Sequence, residues 1–208
     1  FMLNRRCGLY KLLGCGKNGT FDLHPDWRQW GTLVIEKTNP EPQTSNLETQ
    51  TSNFIKAWFR FFHCEVWTIV LEPIEGHGTW DGKKAFGELP KQTDYEGPIA
   101  TLTRATIRIK RLKNFWKHVD AAAAEMRAAP GFITSIGIGE LPWIKQATFS
   151  VWQSKADMKN FAYKMQHHAE VIRKTRKENW YSEDMFVRFK VISAGGNLSG
   201  KNPLQGIL

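Results

Sequence analysis

The feature that most restricts the fold of this 208-residue chain is the order of strand and helix signals after Pro98. Ile99 to Lys110 (IATLTRATIRIK) is rich in β-branched residues and reads as a long strand. Lys113 to Ala129 (KNFWKHVDAAAAEMRAA) reads as a helix ended by Pro130-Gly131. Phe132 to Ile138 and Lys145 to Gln153 read as two strands around a Gly-Glu-Leu-Pro turn. Ser154 is placed to cap a helix running to about Lys177, and Asp184 to Ile192 closes this half as a strand. The order is β-α-β-β-α-β, that of a ferredoxin-like α+β sandwich.

The first half is a weaker version of the same theme. Trp30 to Glu36 (WGTLVIE) and Glu65 to Leu71 (EVWTIVL) are strand candidates. Between them Ser45 to Phe62 turns helical, with Phe54, Ile55, Trp58 and Phe62 at three- and four-residue spacing. Ahead of these lies only a basic, helix-like stretch, and Pro73 to Tyr95 reads as a connector with a Trp80-Asp81-Gly82 turn. The expectation is therefore a truncated or degenerate copy of the unit, short of its opening strand and most of its first helix. The start at Phe1 instead of Met favours trimming. Two fused ferredoxin-like units can pair their sheets into a barrel of the dimeric α/β type, a pseudo-dimer within one chain. The expected divisions are 1–97 for the partial unit and connector, 98–193 for the complete unit, and 194–208 for a flexible tail.

Lys and Arg number 29 against 20 Asp and Glu, a formal net charge of +9 that suits acidic partners. The basic clusters (Arg108, Lys110, Arg111, Lys113, Lys117 and Arg173, Lys174, Arg176, Lys177) are not interleaved with exposed-looking aromatics, so nucleic acid is not expected as a partner. No apolar run reaches membrane-spanning length, no secretion signal is evident, and three cysteines at positions 7, 15 and 64 lack metal-like spacing. These point to a cytoplasmic protein, with peripheral membrane contact left open. Gly14 to Gly19 (GCGKNG) has the spacing of a dinucleotide fingerprint but not its strand-then-helix setting. Nine Trp and thirteen Phe can fill a core, and can also line a pocket for a large flat or greasy ligand.

Two histidines stand side by side in AYKMQHHAEV. With Met158 as zero and about 100° per residue, Phe161, Ala162, Met165, Ala169 and Ile172 form the buried stripe. On the same wheel His167 falls opposite, at about 180°, and His168 on the flank, at about 280°. His168 can thus reach into an apolar pocket, either as a satisfied core residue or as an iron ligand, and Arg173 and Arg176 lie one and two turns on, where they could meet haem propionates. No Cys-x-x-Cys-His is present, so such a haem would be of the b type, held without covalent attachment.

Ala100 to Thr106 (ATLTRAT), Phe115-Trp116, Ile136 to Pro142 (IGIGELP), Gln146 to Trp152 (QATFSVW), His168-Ala169-Glu170 and Glu178 to Tyr181 (ENWY) resemble the spheroidene monooxygenase family in order and spacing. Pro25-Asp26-Trp27 to Trp30 and Trp80 to Lys83 look similar as well. The resemblance implies a haem-containing oxygenase of acyclic carotenoids, with the proximal histidine at His168. It would draw on O₂ and an external electron donor such as ferredoxin, and act on an apolar substrate; homo-oligomerisation is left open. Arg104, with Gln146 or Ser150, are then the candidates for steering oxygen. Gln146 and Ser150 lie about 13 Å apart along one strand, so only one can sit over iron. Phe149, with Phe115, Trp116 and Trp152, can wall a lipophilic pocket, and Met165 joins the cofactor-lining candidates. Two other readings use the same scaffold: a haem-dependent lyase of the aldoxime dehydratase type or a peroxidase, and a haem or hydrophobic-ligand binding protein without turnover.

Overall fold

A computed structural model describes residues 7–17, 22–36 and 53–208; the side chains of residues 7, 53–56 and 166–168 lie outside the description. The elements run β1 (Cys7–Gly16), β2 (Pro25–Glu36), α1 (Asn53–Phe61), β3 (Trp67–Gly78), β4 (Ile99–Ile107), α2 (Leu112–Ala128), β5 (Phe132–Leu141), β6 (Lys145–Trp152), α3 (Lys155–Lys164), α4 (Gln166–Glu178) and β7 (Tyr181–Gly196). All seven strands form one sheet in the order β2-β1-β5-β6-β4-β7-β3, antiparallel at every pairing. This is a mixed α/β fold. The second half supplies the four central strands, and strands of the first half flank them on both sides.

Period-two alternation gives the sheet two different faces. On β4 the even residues Ala100 and Leu102 join Ala147, Val151, Met185, Val187, Phe189, Val191 and Leu13 in a large apolar core. The odd residues face the helices. Ile99 packs with Trp152, Met126 of α2, and Met158 and Phe161 of α3. At the other end of β4, Ile107 packs with Phe115 and Val119 of α2, Trp180, and Val171 of α4.

Several expectations change here. The basic stretch read as helix-like is the strand β1, in which Leu9, Lys11, Leu13 and Cys15 turn inward while Tyr10 and Leu12 stay exposed. The adjacent Leu12-Leu13 pair and the flanking glycines hide that alternation from a helical count. The described first half is therefore β-β-α-β. β3 continues past Leu71 to Gly78, through Pro73, because it is an edge strand that needs no N–H there and takes up a register shift between Pro73 and Glu75. The helix read from Ser45 is seen as α1 from Asn53; residues 45–52 lie outside the described residues. Ser154 does cap α3, its Oγ accepting from the Asp157 N–H. That helix ends early, however: Met165 adopts an extended conformation (φ −76°, ψ 129°), and α4 starts anew after it. A single helical phase therefore cannot be carried from Met158 to His168. The segment after Ile192 is packed, with Leu204 buried in the large core and Trp67 Nε1 donating to Asn202 Oδ1 at 3.3 Å.

Candidate functional site

On the helix-bearing side, the central strand is buried at both ends but not in the middle. Ile99 and Ile107 are closed over, whereas Thr103, midway between them, is exposed. Thr103 pairs in register with Thr148 of β6 and Phe186 of β7, and Thr148 pairs with Gly137 of β5. Of these four positions Thr103 is exposed, Thr148 and Phe186 are half-buried and Gly137 is buried, so the packing leaves a gap over the first three, between the two apolar clusters. Met165 packs with the Ile99 cluster and Val171 with the Ile107 cluster, so the backbone of residues 166–170, the first turn of α4, passes between them.

One register row from Thr103 lies a line of buried polar residues across the sheet: Ser135, Ser150, Thr101, Arg188 and Glu75. Ser150 Oγ accepts from Trp152 Nε1 at 3.0 Å. Glu75 forms an ion pair with Arg188, and its Oε2 accepts from Lys155 Nζ at 2.6 Å and from the Thr93 N–H at 3.0 Å. The Arg188 guanidinium lies over the Phe186 ring, 4.5 Å from its centroid, and burial pulls it below its ordinary pKa range. Thr101 Oγ1 and Arg188 Nε are buried with no hydrogen-bond partner among the described residues.

The opposite face carries a six-charge network. Arg104, almost wholly buried, reaches Glu183 at 2.6 Å, Asp81 at 3.0 Å and Glu140 at 3.3 Å. Lys11 bridges Asp81 (2.8 Å) and Glu140 (2.5 Å), and Lys145 reaches Asp81 at 2.7 Å. Asp81-Gly82 is a two-residue turn with positive φ at both positions (52° and 74°), closed by the Trp80 and Lys83 backbone bonds. It presents Asp81 to Arg104 and the Gly82 N–H to Glu183 at 2.7 Å. Burial opposes ionisation of Glu183, yet the Gly82 N–H, the Thr79 hydroxyl and Arg104 together hold it at about 2. Hydrogen bonds from Lys11 and Lys145 hold Asp81 well below the usual carboxylate range.

A cleft of about 230 Å³ opens where β1 meets β5, lined among others by Gly14, Leu23, Trp27, Trp30, Trp143 and Gln146. Its three tryptophans are all exposed, and Trp143 is fixed by its Nε1 donating to Leu23 O at 3.0 Å. Gly14, Gly139 and Gln146 share the helix-bearing side with Thr148, two residues from Gln146 along β6.

No family model matches the chain. It is 32% identical over 202 residues to the spheroidene monooxygenase of Rhodobacter capsulatus, covering 96% of this chain and 81% of that protein. The chain belongs to the spheroidene monooxygenase family. It is likewise 32% identical over 196 residues to the spheroidene monooxygenase of Cereibacter sphaeroides, covering 94% of this chain and spanning 59% of that relative's length. The Rubrivivax gelatinosus protein of the same name is 31% identical over 191 residues, covering 92% of this chain and 71% of the relative. Solved structures that resemble it over part of its length include a conserved protein from Methanosarcina mazei Go1 (11% identity, TM-score 0.39, 45% of this chain and 92% of that one). A cofactor-independent oxygenase from Streptomyces nogalater is a second (12% identity, TM-score 0.34, 51% and 96%). Likenesses this distant bear on neither site nor chemistry.

Within this family member, the residues singled out from sequence divide between the two faces. Arg104 and Phe149 lie on the large-core side, in register with Ala147 and Leu102 respectively. Gln146 and Ser150 lie on the helix-bearing side, so the sheet separates them from Arg104. Gln146 Nε2 donates to Leu141 O at 3.2 Å. Met165 is partly buried against the Ile99 cluster, and Arg173 and Arg176 are exposed on α4. His168 sits in the first turn of α4, and its side chain is outside the description. Sequence reasoning missed Arg188, Thr101 as a site residue, and the Trp27–Trp30–Trp143 cleft. The tryptophan count and the Trp27 to Trp30 segment were the signals for the cleft, and an arginine inside an apolar strand was the signal for Arg188.

Proposed function

We propose that this chain carries the haem site of a monooxygenase that oxidises a carotenoid or similarly apolar substrate. His168 would bind its iron. The observation that carries the reading is the gap over Thr103, which the first turn of α4 borders between two apolar clusters. The donor set fits a haem. Trp152, Phe161 and Phe186 offer aromatic walls, Thr101 and Arg188 hold buried donors without partners among the described residues, and Arg173 and Arg176 are exposed, where propionates would meet solvent. A haem held there would supply the activation of dioxygen needed to insert one oxygen atom into a substrate C–H bond, the other leaving as water, with reducing equivalents from an external donor such as ferredoxin.

The chain's own residues have separate tasks. Trp27, Trp30 and Trp143 hold an apolar substrate chain by contact area and keep water off it. Gln146 stands between that cleft and the gap, and Ser150 fixes the Trp152 indole at the gap's side. Arg104, neutralised by three carboxylates on the other face, works as a structural tie. In the same reading the two halves are related ferredoxin-like units of a barrel-type pseudo-dimer, strands of the first attaching to the sheet of the second through β1–β5 and β3–β7.

Haem reconstitution followed by optical spectroscopy tests this: a Soret band is expected in the wild type and in His167→Ala, and its loss in His168→Ala. Turnover should require both O₂ and a reductant. Turnover that continues without O₂ would reject monooxygenation in favour of a lyase or peroxidase.

A further inference from the structure

We propose that Arg188 and Thr101 form an anion-binding corner at the edge of the gap, taking a small monoanion or the acceptor end of a ligand held there. Glu75, Lys155 and Arg188 make a buried group of two cations and one carboxylate, leaving one positive charge in excess. Lys155 is committed to Glu75 and to the Thr93 carbonyl. Arg188 Nη1 makes an ion-pair contact with Glu75 Oε1, an oxygen that accepts no hydrogen bond among the described residues, and Arg188 Nε has no hydrogen-bond partner among them either. Because Phe186 pairs with Thr103 and Arg188 with Thr101, a guanidinium lying over the Phe186 ring leans from its own row toward the gap. The Thr101 hydroxyl, also without a partner among the described residues, stands in the neighbouring strand directly across from Arg188.

A buried excess cation and two unused donors at one spot fit an anion better than water, because water supplies the hydrogen bonds but not the charge. Small-ion recognition by this corner stands on the residues alone. Its service to a ligand on iron rests on the haem reading above, and the test separates the two. Arg188→Leu should fold, because Lys155 still neutralises Glu75; Thr101→Val keeps the side-chain shape and removes only the hydroxyl.

Crystals of the haem-free chain grown in bromide should show an anomalous peak within hydrogen-bond distance of Arg188 Nε and Thr101 Oγ1, lost in Arg188→Leu. No peak at that position overturns the anion site. In the haem-loaded ferric protein, fluoride should bind about tenfold more weakly in Arg188→Leu and in Thr101→Val, the loss expected for one charge-assisted hydrogen bond. Arg188→Lys should fall between. Unchanged fluoride affinity in both variants, with the Soret band retained, overturns the corner's role toward an iron ligand. If the wild type takes up no haem, the proposed function fails while the bromide experiment still decides the anion site.

Discussion

Replacing Arg104 with leucine separates the structural and functional claims most sharply. Arg104 is the only network member that is fully buried, and it contacts Glu183, Asp81 and Glu140 at 2.6, 3.0 and 3.3 Å. Its loss leaves three carboxylates facing two lysines, a shift from zero to one uncompensated negative charge. Removing one partner of a buried ionic group costs about 3–5 kcal/mol. Asp81 is 38% exposed and keeps Lys11 and Lys145, which places Arg104→Leu near the lower end, about 3 kcal/mol. For a chain of this size that lowers the melting temperature by roughly 6–12 °C. Acid should narrow the gap between the two proteins. The wild-type Glu183, held at about 2 against an ordinary 4.5, contributes stability above its unfolded pKa that is lost as pH falls toward 2. The variant has less of that contribution to lose. The assay is calorimetric melting of both proteins at neutral pH and at stepped acidic pH. Haem uptake per folded molecule should be the same in both, since Arg104 lies on the far side of the sheet from the gap. An unchanged melting temperature would refute the network's role, and a specific loss of haem affinity would refute the assignment of faces.

Other outcomes follow from the same geometry. Ser150→Ala leaves the buried Trp152 Nε1 without its acceptor and should destabilise by about 1–3 kcal/mol, read by denaturant unfolding. Trp143→Ala, which opens the cleft and frees Leu23, should weaken binding of an apolar polyene, read by fluorescence titration, while leaving the haem spectrum unchanged. Gln146→Leu should change the ratio of products or the KM for the apolar substrate more than the haem spectrum, because Gln146 lines the cleft.

The second half of the fold was legible because its signals are local. β4 is dense in β-branched residues, α2 is rich in alanine and closed by Pro-Gly, and Ser154 caps α3 with its own hydroxyl. β1 was not, because a ten-residue strand with adjacent leucines and glycines has no clean period, and its pairing with β2 and β5 is set by residues far away in sequence. The break at Met165 left no mark either: no proline or glycine stands there, and the turn in the chain is accompanied by packing of Met165 against the Ile99 cluster. That break matters for the site, since the histidine choice from helical phase assumed one helix; the assignment of His168 now stands on the family resemblance and on where α4 begins. Arg104, Gln146 and Ser150 were recognisable as unusual polar residues in apolar strands. Which face each one takes depends on register, and that became visible only in the folded sheet.

In the proposed site the first turn of α4 delivers one histidine to a haem. Titrating haem into the purified wild type, His167→Ala and His168→Ala, with optical spectra recorded in the ferric and the reduced, CO-bound states, tests it directly. The account predicts stoichiometric uptake with a histidine-ligand spectrum in the wild type and His167→Ala, and loss of that spectrum in His168→Ala alone. Full, unaltered haem binding by His168→Ala would contradict it.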